Sequence, residues 1–161
     1  MTRINTLKVN ELSDELLINE LGEIRRIFVN VLVRIESNKA FSDIPKEYTL
    51  GAGHMKFFYN KCFYIYFRYL ELRYEHEKRN KKPYSLEHLE VTESMYNQIK
   101  EHDCDLCNDW SPSEQDIWHC KMRIIQRSKN YKRAHHYRKN KIVDWHKFLN
   151  VPEYPDYSHM L

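Results

Sequence analysis

Glycine is nearly absent from this sequence. There are three in 161 residues, where a typical chain carries roughly 7%. Only five prolines accompany them. Sandwiches and barrels need frequent tight turns, so this scarcity excludes both. Apolar runs are short as well. None approaches the ~18 residues of a membrane span, and the mean hydropathy is −0.78, so a transmembrane helix is excluded. The opening Met1-Thr2-Arg3-Ile4-Asn5 lacks the apolar core of a secretory signal. A cytoplasmic, reducing location is expected, and the four cysteines then read as thiols rather than disulfides.

Charge is plentiful instead, at 30% of residues. The net of +3 hides an asymmetry. Residues 121–147 hold ten Lys and Arg against the single acid Asp144, a local +9, which leaves −6 for the remainder. A basic stretch on an acidic chain points to a polyanion partner. A solvated helix face is the plainer reading of the same charges.

Residues 14–36 read as a long amphipathic helix that Ser13 and Asp14 can cap. Leu17, Leu21, Ile24, Phe28, Val31 and Ile35 fall on one stripe. Glu23 and Arg26 lie off that stripe, about 60° apart and one turn from each other. Gly22 sits mid-helix, where it costs about 1 kcal/mol relative to Ala, so a packing or functional reason is expected for it. A connector over 37–55 leads to a second helix over 57–79, crowded with Phe and Tyr. Burial in the core is expected for most of those rings. A shorter helix covers 85–101. Ser111-Pro112-Ser113-Glu114 reads as an N-cap, a first-turn Pro and a capping-box Glu, opening a helix over 112–130. Its apolar members are Ile117, Met122, Ile124 and Ile125. A last short helix is expected over 142–149.

Three motifs invite chemistry. Cys104-Asp-Leu-Cys107 lies near His102, His119 and Cys120, and structural zinc sites use such a pair with a second one. The second pair would be adjacent residues pointing about 100° apart on a helix, a poor arrangement, so no metal is assigned. Gly51-Ala52-Gly53-His54 lacks the patterns of a dinucleotide or phosphate loop and reads as a turn feeding the second helix. Glu23 with Arg26, and Arg25 beside it, is an acid in a basic cluster. An ordinary surface ion pair, worth only tenths of a kcal/mol, is the simple reading.

The N-terminus is the remaining feature. Thr2 is small enough for an aminopeptidase to remove Met1 and expose its α-amine. Such an amine has a pKa near ~7.7–8.0, against ~10.4 for lysine. Roughly a quarter to a third of it is therefore neutral and nucleophilic near pH 7.4.

Taken together, the residues resemble the pyrimidine-dimer DNA glycosylase/lyases of the endonuclease V type found in phages and algal viruses. The likeness runs from Met1-Thr2-Arg3-Ile4-Asn5 through Glu11-Leu12, Asp14, Glu20, Glu23 and Arg26. It resumes at Asp43-Ile44-Pro45-Lys46, Leu50-Gly51-Ala52-Gly53-His54, Phe57-Phe58-Tyr59 and Lys61. Pro112, Glu114, Ile117, Arg123 and Arg127 also fall at family spacing. It is specific over 1–61, moderate over 62–80 and 109–127, and weak elsewhere.

The resemblance implies a compact all-α domain of about three main helices plus short extra ones, with the N-terminal segment threaded between helices. It spans 1–161 as one domain, with 128–161 a divergent basic extension. In the family the Thr2 amine attacks C1′ of a damaged nucleotide and displaces the base, and the resulting imine permits β-elimination. Glu23 is the essential acid. Arg3 and Arg26 hold phosphates, and Arg123 and Arg127 take the place of two basic DNA contacts. The implied partner is double-stranded DNA containing damaged pyrimidines. No cofactor, metal or membrane is called for, and a monomer is expected. The setting is the cytoplasm of a bacterium or, for a virus-encoded enzyme, of its host.

Departures cluster on the first helix. Family members carry Gln, His and Arg where this chain has Glu15, Leu16 and Gly22. Arg25 is a candidate to replace the charge lost at Gly22. The family's aromatic C-terminal segment gives way to Ala134-His135-His136-Tyr137. Two alternatives therefore stand beside dimer repair: a glycosylase/lyase for another damaged or modified pyrimidine, and a non-catalytic DNA-binding relative.

Overall fold

The computed structural model describes residues 4–130, 137–138 and 141–142. The architecture is all-α. The helices are α1 (Asp14–Glu36), α2 (His54–Phe57), α3 (Cys62–Asn80), α4 (Leu86–His102) and α5 (Glu114–Asn130). Single 3₁₀ turns lie at Val9–Glu11 and Cys104–Leu106. Two two-residue strands, β1 (Tyr137–Arg138) and β2 (Lys141–Ile142), pair antiparallel. Ile142 thus opens no helix, and the rest of the helix expected over 142–149 lies outside the described residues. No helix among the described residues is long and apolar enough to cross a membrane. The chain divides into two compact units, one holding Ile4 and Ile18–Ser111, the other Asn5–Leu17 and α5.

In the first unit, Leu21, Ile24, Phe28 and Val31 are buried as their spacing predicts, while Ile35 is only half-buried. The buried arc of α1 is wider than the stripe, because Glu20, Glu23 and Ile27 are buried too. Glu20 reaches α3, where its Oε1 accepts from Arg68 Nε at 2.8 Å. Burial opposes the charge on Arg68, but Glu20, with Tyr64 and Glu71, more than offsets this and holds its pKa above the ordinary arginine value. Farther along α3, Arg79 Nε donates to Glu75 at 2.8 Å with both side chains nearly covered.

The second helix begins later than expected: of its first five anticipated residues only Phe57 is helical, at the end of the separate turn α2. The chain leaves α2 at Phe57, turns through residues 58–61, and re-enters helix at Cys62. The break is held from both sides. Lys61 Nζ donates to the Phe57 carbonyl at 2.9 Å, which satisfies an acceptor at the end of α2. Lys61 also bridges to Cys107, and Asn108 Nδ2 donates to the Asn60 carbonyl at 2.9 Å. These long-range bonds to the backbone override a pattern that is helical by periodicity alone.

The break also redistributes the aromatic rings. Phe57, Phe58, Tyr59 and Tyr69 are buried and Tyr64 and Tyr66 half-buried, but Phe63, Phe67 and Tyr74 are exposed. Core burial thus holds for only part of the aromatic run. Tyr66 stacks on Tyr96 of α4 with centroids 4.4 Å apart, and Tyr96 also meets Phe28 of α1 at 6.4 Å. Ser85 caps α4, its Oγ accepting from His88 N at 3.3 Å. Asp43 ties the connector down by accepting from Arg34 and from Lys56.

In the second unit, Ser13 caps α1 as expected, its Oγ accepting from Leu16 N at 3.1 Å. Helix α5 begins two residues later than the Ser-Pro motif suggests. Its cap is Ser113, not Ser111. Ser113 Oγ accepts from Asp116 N at 3.2 Å, and Ser113 N donates to Asp116 Oδ2 at 2.9 Å. That reciprocal pair is a capping box two residues beyond the anticipated one, with Asp in place of Glu. Met122, Ile124 and Ile125 are buried and Ile117 half-buried.

Candidate active site

Glu23 and Arg26 come together on one face of α1. Arg26 Nη1 donates to Glu23 Oε1 at 2.8 Å. The pair is asymmetric: the Arg26 side chain is 73% exposed, that of Glu23 only 9%. This is not the ordinary surface pair, because one partner is a carboxylate in a covered setting. The second carboxylate oxygen of Glu23 makes no hydrogen bond among the described residues. Gly22, beside it, is exposed, and a Cβ built there would meet nothing within 4 Å. The packing reason expected for Gly22 is therefore absent; the residue leaves open space next to Glu23 and one turn from Arg26.

Arg25 points elsewhere. It is half-buried, its Nε has no hydrogen-bond partner, and its charge bears on the Tyr84 phenol. Two residues are 200° of helix rotation, so Arg25 lies nearly opposite Glu23.

The same unit anchors Ile4, the first described residue. The turn motif explains how. Gly53 has φ +93°, the left-handed region that favours glycine. A Cβ there would come within 3.0 Å of Pro45. This close turn delivers His54 into the interior, where it is fully buried. Its Nδ1 lies 2.6 Å from the Thr49 carbonyl and its Nε2 accepts from Ile4 N at 3.0 Å. Tyr48 Oη donates to the Ile4 carbonyl at 3.2 Å. An aromatic group surrounds the anchor: Tyr48 stacks on Trp110 at 5.5 Å, and His54 meets Phe58 edge-on at 5.5 Å. Lys61 sits 3.9 Å above the Phe57 ring, and burial pulls its pKa down.

In the second unit, Arg123 is buried, and its Nη2 donates to Asn5 Oδ1 at 3.1 Å, which also lies 3.6 Å from Cys120 Sγ. Thr6 Oγ1 donates to the Asp116 carbonyl at 3.2 Å. Arg127 is half-buried. Thr2 and Arg3 lie outside the described residues.

The cysteines are free thiols. Cys62 is a small core residue, with burial driving its thiol pKa well up. Cys104 is exposed and Cys107 half-buried, and no three His, Cys, Asp or Glu gather as a metal-ligand set among the described residues.

Sequence reasoning from spacing alone missed Asn5, Glu20, His54 and Arg68. The first three carried a signal only through the family resemblance, and Arg68 carried none. Residues 1–89 match the model of a protein family described as pyrimidine dimer DNA glycosylase.

Proposed function

The chain belongs to the pyrimidine dimer DNA glycosylase family, and so to enzymes that act on DNA. From that premise we propose that it excises UV-induced pyrimidine dimers and nicks the strand as a lyase, with the Thr2 α-amine as nucleophile. The neutral amine attacks C1′, the bond from C1′ to the base breaks, and the base leaves with the electron pair. Opening of the sugar ring gives an imine between the Thr2 nitrogen and C1′. Loss of a C2′ proton then drives β-elimination, which breaks the C3′–O bond.

Glu23 serves this chemistry twice. Its carboxylate stabilises positive charge developing on the sugar, and it relays the protons that the amine and C2′ give up. The observation that carries the reading is the covered Glu23 carboxylate, with one oxygen held by Arg26 and the other without a hydrogen bond among the described residues. A carboxylate screened from water acts more strongly on nearby charge than one on an open surface. Arg26, largely exposed, remains available to a phosphate. Arg3 and Arg127 fill the same role. Arg123, already bonded to Asn5, holds its segment in place instead.

One specific observation favours a second reading, a glycosylase/lyase for another damaged pyrimidine. The family's arginine is missing at Gly22, and Arg25, nearly opposite Glu23, does not replace it.

One assay tests both. Duplexes carrying a cyclobutane dimer, a modified pyrimidine or an abasic site are incubated with the protein and reduced with borohydride. A covalent complex on the dimer is expected. Trapping on the modified base alone selects the second reading. Binding without any adduct, even on abasic DNA, overturns both and leaves a non-catalytic DNA-binding protein. Affinity for undamaged duplex should fall steeply with salt, because each Lys or Arg on a phosphate releases a counterion.

A further inference from the structure

We propose that His54 and Tyr48 are positioning residues that clamp the Ile4 peptide unit and so fix where the Thr2 amine can reach; the inference rests on the nucleophile reading above. Both backbone groups of Ile4 are engaged. Its N–H donates to His54 Nε2 at 3.0 Å and its carbonyl accepts from Tyr48 Oη at 3.2 Å. Its side chain is fully buried. Ile4 is thus held at three points, two positions along the chain from the proposed nucleophile.

The hydrogen bonds also assign the state of the imidazole. A backbone N–H can only donate, so Nε2 is the unprotonated nitrogen and Nδ1 carries the proton to the Thr49 carbonyl. His54 is thus neutral, with a single tautomer selected. The Gly51–Gly53 turn sets the ring in place: Gly53 adopts a backbone conformation few side chains tolerate. Tyr48 is held in turn by rings, edge-on to His54 at 5.4 Å and stacked on Trp110 at 5.5 Å. The clamp therefore stands on supports that are themselves fixed. Small misplacement of a reacting group is costly, on the order of a hundredfold for about 1 Å.

The test uses full-length protein on abasic duplex with borohydride, read as the single-turnover trapping rate at saturating enzyme and, separately, the Kd for DNA. Tyr48→Phe removes one hydroxyl and keeps the ring. It should slow trapping about tenfold, with Kd changed less than about threefold. His54→Leu should slow it on the order of a hundredfold. His54→Gln, which restores an acceptor for Ile4 N–H, should recover a large part of that loss. A merely structural role would lower melting temperature equally in the Leu and Gln variants without separating their rates. Trapping at the wild-type rate in Tyr48→Phe and in His54→Leu overturns the clamp. If His54→Leu does not fold, an unchanged rate in Tyr48→Phe alone overturns it. Failure of the wild-type protein to trap on any duplex overturns the nucleophile reading itself, a result distinct from equal trapping by all variants.

Discussion

Arg26 and Glu23 share a 2.8 Å hydrogen bond across one turn of α1, yet one side chain is 73% exposed and the other 9%. The arginine faces outward while the carboxylate is withdrawn. Such a pair can meet a phosphate with one partner and a sugar with the other. Its worth as a stabilising ion pair is small, because the arginine is solvated.

Glu23→Gln keeps the shape and a hydrogen-bond acceptor for Arg26 but removes the charge. Glycosylase turnover should fall by about 10²–10⁴, the range of a general acid–base group. DNA affinity should hold or rise slightly, since a negative charge leaves the surface proposed to meet DNA. Single-turnover kinetics and a binding titration on the same duplex check both parts. Undiminished turnover would sink the assignment.

The buried pair Glu20–Arg68 carries stability rather than chemistry. Both side chains are nearly or wholly covered, at 0% and 6% exposed. Arg68→Met takes away the guanidinium bonded to this buried carboxylate and should cost about 3–5 kcal/mol. The double variant Glu20→Leu with Arg68→Met removes both charges and should recover much of that loss. Denaturant unfolding of the three proteins measures it; equal stability of the single and double variants would contradict the coupling.

How much of this was legible beforehand divides by physical cause. The core face of α1 follows from a 3.6-residue period, and Leu21, Ile24, Phe28 and Val31 are buried accordingly. Ser13 is visible as a cap because a short oxygen-bearing side chain precedes an apolar run. The break at residues 58–61 was not legible, since it depends on Asn108 and Cys107, some fifty residues on. Neither was the burial of Glu20 and Glu23. A charged residue is covered only when its partner is supplied, and for Glu20 that partner is Arg68, 48 positions away. The chemistry proposed for the site rests on the family resemblance alone. Spacing showed only that Glu23 and Arg26 share a turn.

The start of α5 offers a direct test of local structure. Ser113 and Asp116 exchange the cap bonds, and Ser111 is exposed outside the helix. Ser113→Ala should therefore cost about 0.5–2 kcal/mol, while Ser111→Ala should be within about 0.5 kcal/mol of wild type. Thermal melts of the two variants compare them. The reverse order would place the helix start at the Ser-Pro motif after all.

Asp43 should titrate below the ordinary carboxylate value of 3.8. The hydrogen bond from Lys56 lowers it most; burial opposes this, and Arg34 lowers it further. A depressed folded-state value means the tie is fully present above the unfolded carboxyl pKa and is lost as pH falls through the folded one. Lys56→Ala should move the Asp43 midpoint upward in a carboxyl NMR titration. An unmoved midpoint would mean the connector is not held through this residue.

Gly22 is where stability and function pull apart. Ala is favoured over Gly by about 1 kcal/mol in a helix interior, and here nothing lies within 4 Å of the added methyl. Gly22→Ala should therefore raise stability by about 0.4–1 kcal/mol, largely by restricting the unfolded chain. If open space beside Glu23 serves the substrate, Gly22→Ala should leave trapping on abasic DNA intact, while Gly22→Leu should slow base release from the preferred lesion. Gly22→Arg should tighten binding to undamaged duplex and steepen its salt dependence, because it adds a cation one turn from Arg26. Stability is read by melting, lesion preference by competing dimer and modified-base duplexes in one reaction. A Gly22→Ala protein less stable than wild type would mean that the helix is not regular at this residue. Equal lesion preference in the Ala, Leu and Arg variants would remove Gly22 from substrate selection.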